Sequence, residues 1–140
     1  MAPPAPCYKP YELDEAGYRR ERFADFPYDI KNNHEVLNLT RPDIIKAVHT
    51  AYLEAGADLI TTNTFNGTSI SQAEFHMEEF VYEMNREAAR LAREAIAEFD
   101  ADHPELTRDK PRFVLAPWGL PTKCSPCRRM WRTLLTAPLL

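Results

Sequence analysis

The chain predicts an α/β protein built on a parallel sheet. Two segments with helical apolar spacing alternate with two short β-prone runs, the order of βα units. Gly56 separates the first helical segment from the first strand. That strand then opens into the polar run Thr62-Asn63-Thr64-Phe65-Asn66, at the end where parallel α/β proteins build their sites.

Residues 11–25 are polar and mixed, with Glu12, Asp14, Glu15, Arg19, Arg20, Glu21 and Arg22, and predict a short irregular helix whose charges form a solvated face. Residues 26–39 lack a period and hold Pro27 and Asn32-Asn33, which reads as a loop. Thr40 then offers an N-cap, Pro42 sits in the first turn and Asp43 follows three residues after the cap. Ile44, Ile45, Val48, Ala51, Tyr52 and Ala55 recur at helical spacing. Gly56 is the expected C-cap residue, because positive φ costs glycine little. Asp58 to Thr62 reads as a short buried parallel strand.

A second helix is expected from about Ser71 to Phe99, with the stripe Met77, Phe80, Val81, Met84, Ala88, Leu91, Ala92, Ala95 and Ile96 packed as core. Arg86, Arg90 and Glu94 fall four apart on its solvent side, and Arg90 with Glu94 can attract across one turn. Residues 100–111 read as a polar loop, and Arg112-Phe113-Val114-Leu115 starts another buried strand. Two such units do not close a barrel, which needs roughly 200 residues or more. They make either a small open α/β domain or a piece of a larger one.

Composition narrows the function. With 140 residues the chain suffices for one modest domain. Apolar residues at 44% and charged residues at 27% match a water-soluble globular protein. A net charge of −4 argues against nucleic acid as a partner. No apolar run reaches the ~18 residues that cross a bilayer, so no membrane is expected. Met1-Ala2-Pro3-Pro4-Ala5-Pro6 lacks the basic start and apolar core of a signal peptide, and a cytoplasmic location is expected. Cys7, Cys124, Cys127, Trp118 and Trp131 all lie outside residues 10–115, and no acid follows Lys123. The two ends read as different text from the middle.

Cys124-Ser125-Pro126-Cys127 has the spacing of half a zinc site, but no second CxxC or histidine pair completes it. His34, His49, His76 and His103 are scattered and are expected at the surface. No residue is assigned as catalytic or as a metal ligand. Asn63, Thr64 and Phe65 are the candidate substrate-binding residues, set against the plainer expectation of a loop whose amides cap the next helix.

A run of ordered phrases resembles the N-terminal homocysteine-binding domain of cobalamin-dependent methionine synthases. They include Tyr18-Arg19-Arg20-Glu21-Arg22-Phe23-Ala24-Asp25, Lys31-Asn32-Asn33 and Leu39-Thr40-Arg41-Pro42-Asp43-Ile44-Ile45. Others are Ala51-Tyr52-Leu53-Glu54-Ala55-Gly56-Ala57-Asp58, Thr62-Asn63-Thr64-Phe65-Asn66, Val81-Tyr82-Glu83-Met84-Asn85, Ala88-Ala89-Arg90-Leu91-Ala92 and Arg112-Phe113-Val114. The resemblance covers about residues 10–115. Thr61 departs from the glutamate common in the family's phrase and receives no role. The resemblance implies a partial (β/α)8 TIM barrel, comprising the first two βα units and the start of the third strand. It implies homocysteine as substrate, methyl transfer from methylcobalamin to its sulfur, and Asn63, Thr64 and Phe65 as shapers of the homocysteine pocket. It also implies zinc, held by three cysteine thiolates late in the barrel, and cobalamin in another domain. Ligands for both are absent from this stretch.

The flanks break the resemblance. The family's barrel opens with a phrase of the type Asp-Gly-Ala-Met-Gly-Thr-Met, which residues 1–9 lack. Codons that encode residues 1–9 can also read Gly-Ala-Thr-Gly-Thr-Met-Leu-Gln in another frame. Codons for residues 116–137, shifted likewise, can read Gly-Ala-Met-Gly-Pro-Thr-Asn-Lys-Met-Leu-Ser, a phrase of the family's kind. Residues 1–9 and 116–140 are therefore expected to be out-of-frame text around a partial homocysteine-binding domain at 10–115. This chain alone is then expected to be inactive. The alternatives are a non-catalytic remnant and a small interaction module that self-associates through an open sheet edge. Helices shaped to cover a missing barrel are expected to leave their apolar stripes partly wet.

Overall fold

The computed structural model describes residues 11, 13–107 and 111–117. The expectations for residues 1–9, for Cys124 and Cys127, and for nearly all of 116–140 lie outside them. The elements run α1 (Glu15–Arg19), α2 (Leu37–Thr40), α3 (Pro42–Glu54), β1 (Leu59–Thr61), α4 (Ser69–Gln72), α5 (Val81–Asp102), α6 (Pro104–Thr107) and β2 (Phe113–Leu115). β1 and β2 pair in parallel, with Ile60 opposite Val114. The βα order read from the sequence thus produces a parallel pair, in a two-stranded sheet among the described residues.

The turn from α3 into β1 follows the glycine expectation closely. Gly56 has φ of 91°. Its N–H donates to Leu53 O at 2.9 Å, and Ala57 N donates to Tyr52 O at 3.1 Å. These two bonds make a Schellman closure, which satisfies helix-end carbonyls and needs a left-handed residue. At the other end of α3 the expectation fails. Thr40 is the last residue of α2, and its hydroxyl donates to Val36 O at 3.3 Å. Arg41 is the N-cap of α3 without a side-chain cap, and Pro42 fills the first helical position. Asp43 instead pairs with the Arg41 guanidinium at 2.7 Å, which holds its carboxyl below the usual range.

Three further expectations are corrected. The segment read as a loop at 26–39 contains a 3-10 turn at His34–Val36 and then α2, because Val36 and Leu37 are fully buried against α3 and α5. The second helix is interrupted: α4 ends at Gln72, 3-10 turns follow at Ala73–Phe75 and Glu78–Phe80, and His76 sits left-handed at φ 55°. The apolar spacing survives this break because Met77 turns into the core and Met77 N still reaches Gln72 O at 3.1 Å. The polar loop expected after the helix is partly helical: α5 continues to Asp102 and α6 follows at Pro104.

Two apolar clusters hold the fold. The first gathers Tyr18, Phe23, Ile30, Val36, Leu37, Ile45, Met77, Met84 and Leu91. Charges at 19–25 stay outside while Tyr18 and Phe23 turn in; Arg19 donates to Glu15 and to the carbonyls of Phe23, Phe26 and Tyr28. The second cluster joins Leu53 of α3, Ile60 of β1 and Ala92, Ala95 and Phe99 of α5. The expectation of partly wet stripes holds in part: α3 and α5 cover one another and the sheet's helix side, but Val48, Ala51, Tyr52, Phe80, Val81 and Ile96 are only half-buried and Ala55 is exposed. Further exposed apolar area lies on the opposite sheet face, where Leu59, Phe113 and Leu115 are exposed, so the strands are buried on one face only. Arg86, Arg90 and Glu94 do stay solvent-side, and Arg90 pairs with Glu94.

Candidate functional site

β1 ends at Thr61, and residues 62–68 carry the chain to α4. This loop is held by side chains from four other segments. The Thr62 and Thr64 hydroxyls lie 2.8 Å apart and are both buried. The Asn63 amide donates to His34 O at 2.7 Å and to Asn38 Oδ1 at 3.2 Å. The Asn38 amide returns a bond to Asn63 O at 2.8 Å and reaches Met84 O at 3.4 Å. Asn38 and Asn63 thus exchange hydrogen bonds in both directions, a reciprocal lock between α2 and the loop.

The next residues are fixed the same way. Asn66 N donates to the buried Glu35 carboxylate at 2.8 Å. Gln72 of α4 donates to Asn66 O at 3.2 Å and to Asn33 Oδ1 at 3.3 Å, and the Asn33 amide donates back to Gln72 Oε1 at 2.7 Å. Asn85 of α5 donates to Gly67 O at 2.8 Å. A Cβ on Gly67 would lie 2.7 Å from Asn85 Oδ1, so a side chain there would push the Asn85 amide from its place. Thr68 accepts from Ser71 N at 3.2 Å and caps α4.

The three sequence-predicted residues therefore behave differently. Asn63 and Thr64 spend their side chains on internal bonds, and Phe65 is 64% exposed beside them. The plainer expectation, that the loop's amides cap the next helix, is corrected: the cap is the Thr68 hydroxyl, three residues further on. Beside the loop lies a polar hollow of about 190 Å3, lined in part by Asn32, Glu35, Asn66, Ser71 and Glu74. Its walls offer acceptors and two acids, Glu35 and Glu74, beside the apolar Ile70 and Phe75.

The sequence reading missed the residues that hold the loop: Asn33, Glu35, Asn38, Gln72 and Asn85. One signal was present. Asn85 directly follows Met84 of the buried stripe, and a polar residue bordering an apolar stripe ordinarily has a partner. Gln72 lies six residues from Asn66, but Asn33, Glu35 and Asn38 lie 25 to 46 residues from their partners in sequence, and no local pattern announces them.

The four histidines are not all at the surface. His76 is exposed and stacks on Tyr28 at 3.8 Å. His34 Nδ1 lies 3.1 Å from the Tyr18 hydroxyl, and burial raises the pKa of that phenol. His103 stacks on Phe99 at 4.4 Å. His49 is a correction: it is buried among α3 and β1, its Nε2 has no hydrogen-bond partner, and desolvation lowers its pKa. Among the described residues no three His, Cys, Asp or Glu side chains gather as a metal set. No helix among them is long and apolar enough to cross a membrane. A sequence model of one protein family, homocysteine S-methyltransferase, matches residues 9–130.

Proposed function

From the premise that the chain belongs to the homocysteine S-methyltransferase family, we propose that it is a homocysteine-binding module of methionine synthase type. The family transfers a methyl group to homocysteine. In this reading the methyl donor is methylcobalamin, and the chain forms part of a (β/α)8 TIM barrel: two βα units and the start of a third strand. The observation that carries it is the locked loop at the C-terminal end of β1, where α/β barrels assemble their sites.

The roles follow from the hydrogen bonds. Asn63 and Thr64 are positioning residues: with their side chains bound inward, they set the backbone of residues 62–66 before substrate arrives. Phe65 presents its ring outward as an apolar wall for the substrate's methylene carbons. A rigid wall stabilises the bound pose because little loop entropy is lost on binding. The reacting group is the substrate sulfur, which attacks as thiolate.

The family uses zinc, and a metal lowers a thiol's pKa when it binds the sulfur. The described residues do not fit that ion, since they offer no three-ligand set. We therefore read these 140 residues as one wall of a site, inactive alone, working in the cytoplasm. Residues 1–9 and 116–140 are read as out-of-frame text; the nucleotide sequence across both junctions tests this, and codons that fail to yield the family phrases in the alternate frame overturn it.

The functional test titrates homocysteine into the purified chain, with and without zinc, and assays methionine formation from methylcobalamin. Weak binding lost in Phe65→Ala, with no turnover, supports the reading. Methionine formed by the chain alone overturns the claim of inactivity, and binding indifferent to Phe65 overturns the site assignment. A second reading has its own support: Leu59, Phe113 and Leu115 expose one sheet face, and an open sheet favours self-association. On that reading these residues act as a non-catalytic interaction module.

A further inference from the structure

The two edges of the sheet differ in chemistry. Phe113 N donates to Asp58 O and Thr62 N donates to Leu115 O, both at 2.9 Å. Alternation along the strand then turns the backbone of Ile60 toward β2 and the N–H and C=O groups of Leu59 and Thr61 outward. Among the described residues nothing pairs with that outer edge. Beside it lies a hollow of about 240 Å3 lined by Val48, His49, Tyr52, Leu59, Ile60 and Thr61. None of these is an acid, a lysine or an arginine. His49, one of these residues, is 5% exposed and its buried Nε2 has no hydrogen-bond partner. A buried polar atom left unpaired is rare in a finished fold and costs free energy. The hollow beside β2 is charged instead, with Arg93, Asp100 and Arg112 in its lining. Charge of that kind blunts a strand edge against pairing.

We propose that the outer edge of β1 is where two copies of this chain join, as a two-fold pair in which the β1 strands run antiparallel. The proposal rests on the self-association reading above and adds the edge and the symmetry. The pairing builds a four-stranded sheet ordered β2-β1-β1-β2. Two strands alone are marginal, and three or more with an apolar face are the ordinary stable unit. A two-fold pair sets each surface against its own copy. At the β1 edge, neutral walls meet neutral walls. At the β2 edge, Arg93 would meet its own copy, while Arg112 is held in an ion pair with Asp100.

Sedimentation velocity over a wide concentration range tests this on the full chain. The expected result is a monomer–dimer equilibrium. Thr61→Pro removes an outward N–H without touching the ladder to β2, and Val48→Asp sets like charges across the two-fold axis. Each is expected to weaken the dimer at least tenfold, with far-UV circular dichroism unchanged. Arg93→Glu, beside the other edge, is expected to leave it unaltered. In the parent chain, amide exchange at Leu59 and Thr61 is expected to slow as concentration rises. A parent chain that stays monomeric overturns the proposal and the self-association reading together. A dimer that survives both β1-edge variants, or is broken only by Arg93→Glu, overturns the edge assignment and leaves self-association standing.

Discussion

Replacing Asn38 by alanine tests the claim that the loop after β1 is held in place by amides from elsewhere in the chain. Asn38 is 2% exposed, and its side chain takes part in three hydrogen bonds. Alanine strands Asn63 O, whose 2.8 Å donor disappears. Asn63 Nδ2 keeps its 2.7 Å bond to His34 O, and that side is only weakened. A buried acceptor left unpaired costs about 1–3 kcal/mol. The small void adds roughly 1 kcal/mol more on the scale of core truncations, so the loss is about 2–4 kcal/mol. With a urea slope of about 2 kcal/mol per molar, mid-range for small proteins, the unfolding midpoint falls by roughly 1–2 M. The assay is urea unfolding followed by circular dichroism, run also on Asn63→Ala and on the double variant. Because the two amides bond each other, the double variant is expected to lose less than the sum, with a coupling of about 0.5–3 kcal/mol. Additive losses, or an Asn38→Ala change below about 0.5 kcal/mol, the scale of ordinary surface substitutions, would refute the lock.

His49 makes stability depend on acid. Its folded pKa lies below the ordinary 6.5 because burial disfavours the imidazolium, and no carboxylate lines its hollow. The unfolded chain therefore takes up the proton first; the stability linked to neutral His49 is complete above about pH 6.5 and drains as pH falls from there through the folded value. His49→Phe is expected to flatten that limb of a stability–pH curve measured by denaturant titration, and an unchanged limb sinks the attribution. Gly67→Ala drives a Cβ to 2.7 Å from Asn85 Oδ1, breaking the Asn85 bond to Gly67 O. Exchange of the loop amides should then rise by tenfold or more, on the scale of a lost hydrogen bond of about 1.4 kcal/mol; unaltered exchange would show the contact to be slack. Gly56→Ala at φ 91° is expected to cost about 1 kcal/mol in thermal or urea unfolding, and a neutral result would show the turn able to relax.

Much of the architecture was legible locally. Gly56 announced the turn into β1, Pro42 the start of α3, and the stripe from Met77 through Ala95 the buried face of α5. These features depend on one residue's backbone freedom or on a periodicity within one element, and both are written in consecutive residues. The boundaries were less legible. Thr40 looked like a cap because hydroxyl residues ordinarily precede helices, but packing of Val36 and Leu37 extended helical structure in front of it. His49 looked like a surface histidine because it is polar, yet β1 closes over it.

The candidate site divides along the same line. Its location after β1 and its exposed Phe65 follow from local order: a strand, then a polar run. Its rigidity does not, because Glu35, Asn38 and Asn85 reach it from distant parts of the chain and distant Asn33 anchors Gln72 beside it. Sequence by itself determined the alternation of helix and parallel strand and the family, since those reside in spacing and in ordered phrases. Tertiary structure alone decided which amides meet, which histidine is buried and which strand edge is left without charge. Such pairings depend on how the chain folds back on itself, and nothing in the order of neighbouring residues encodes that distance.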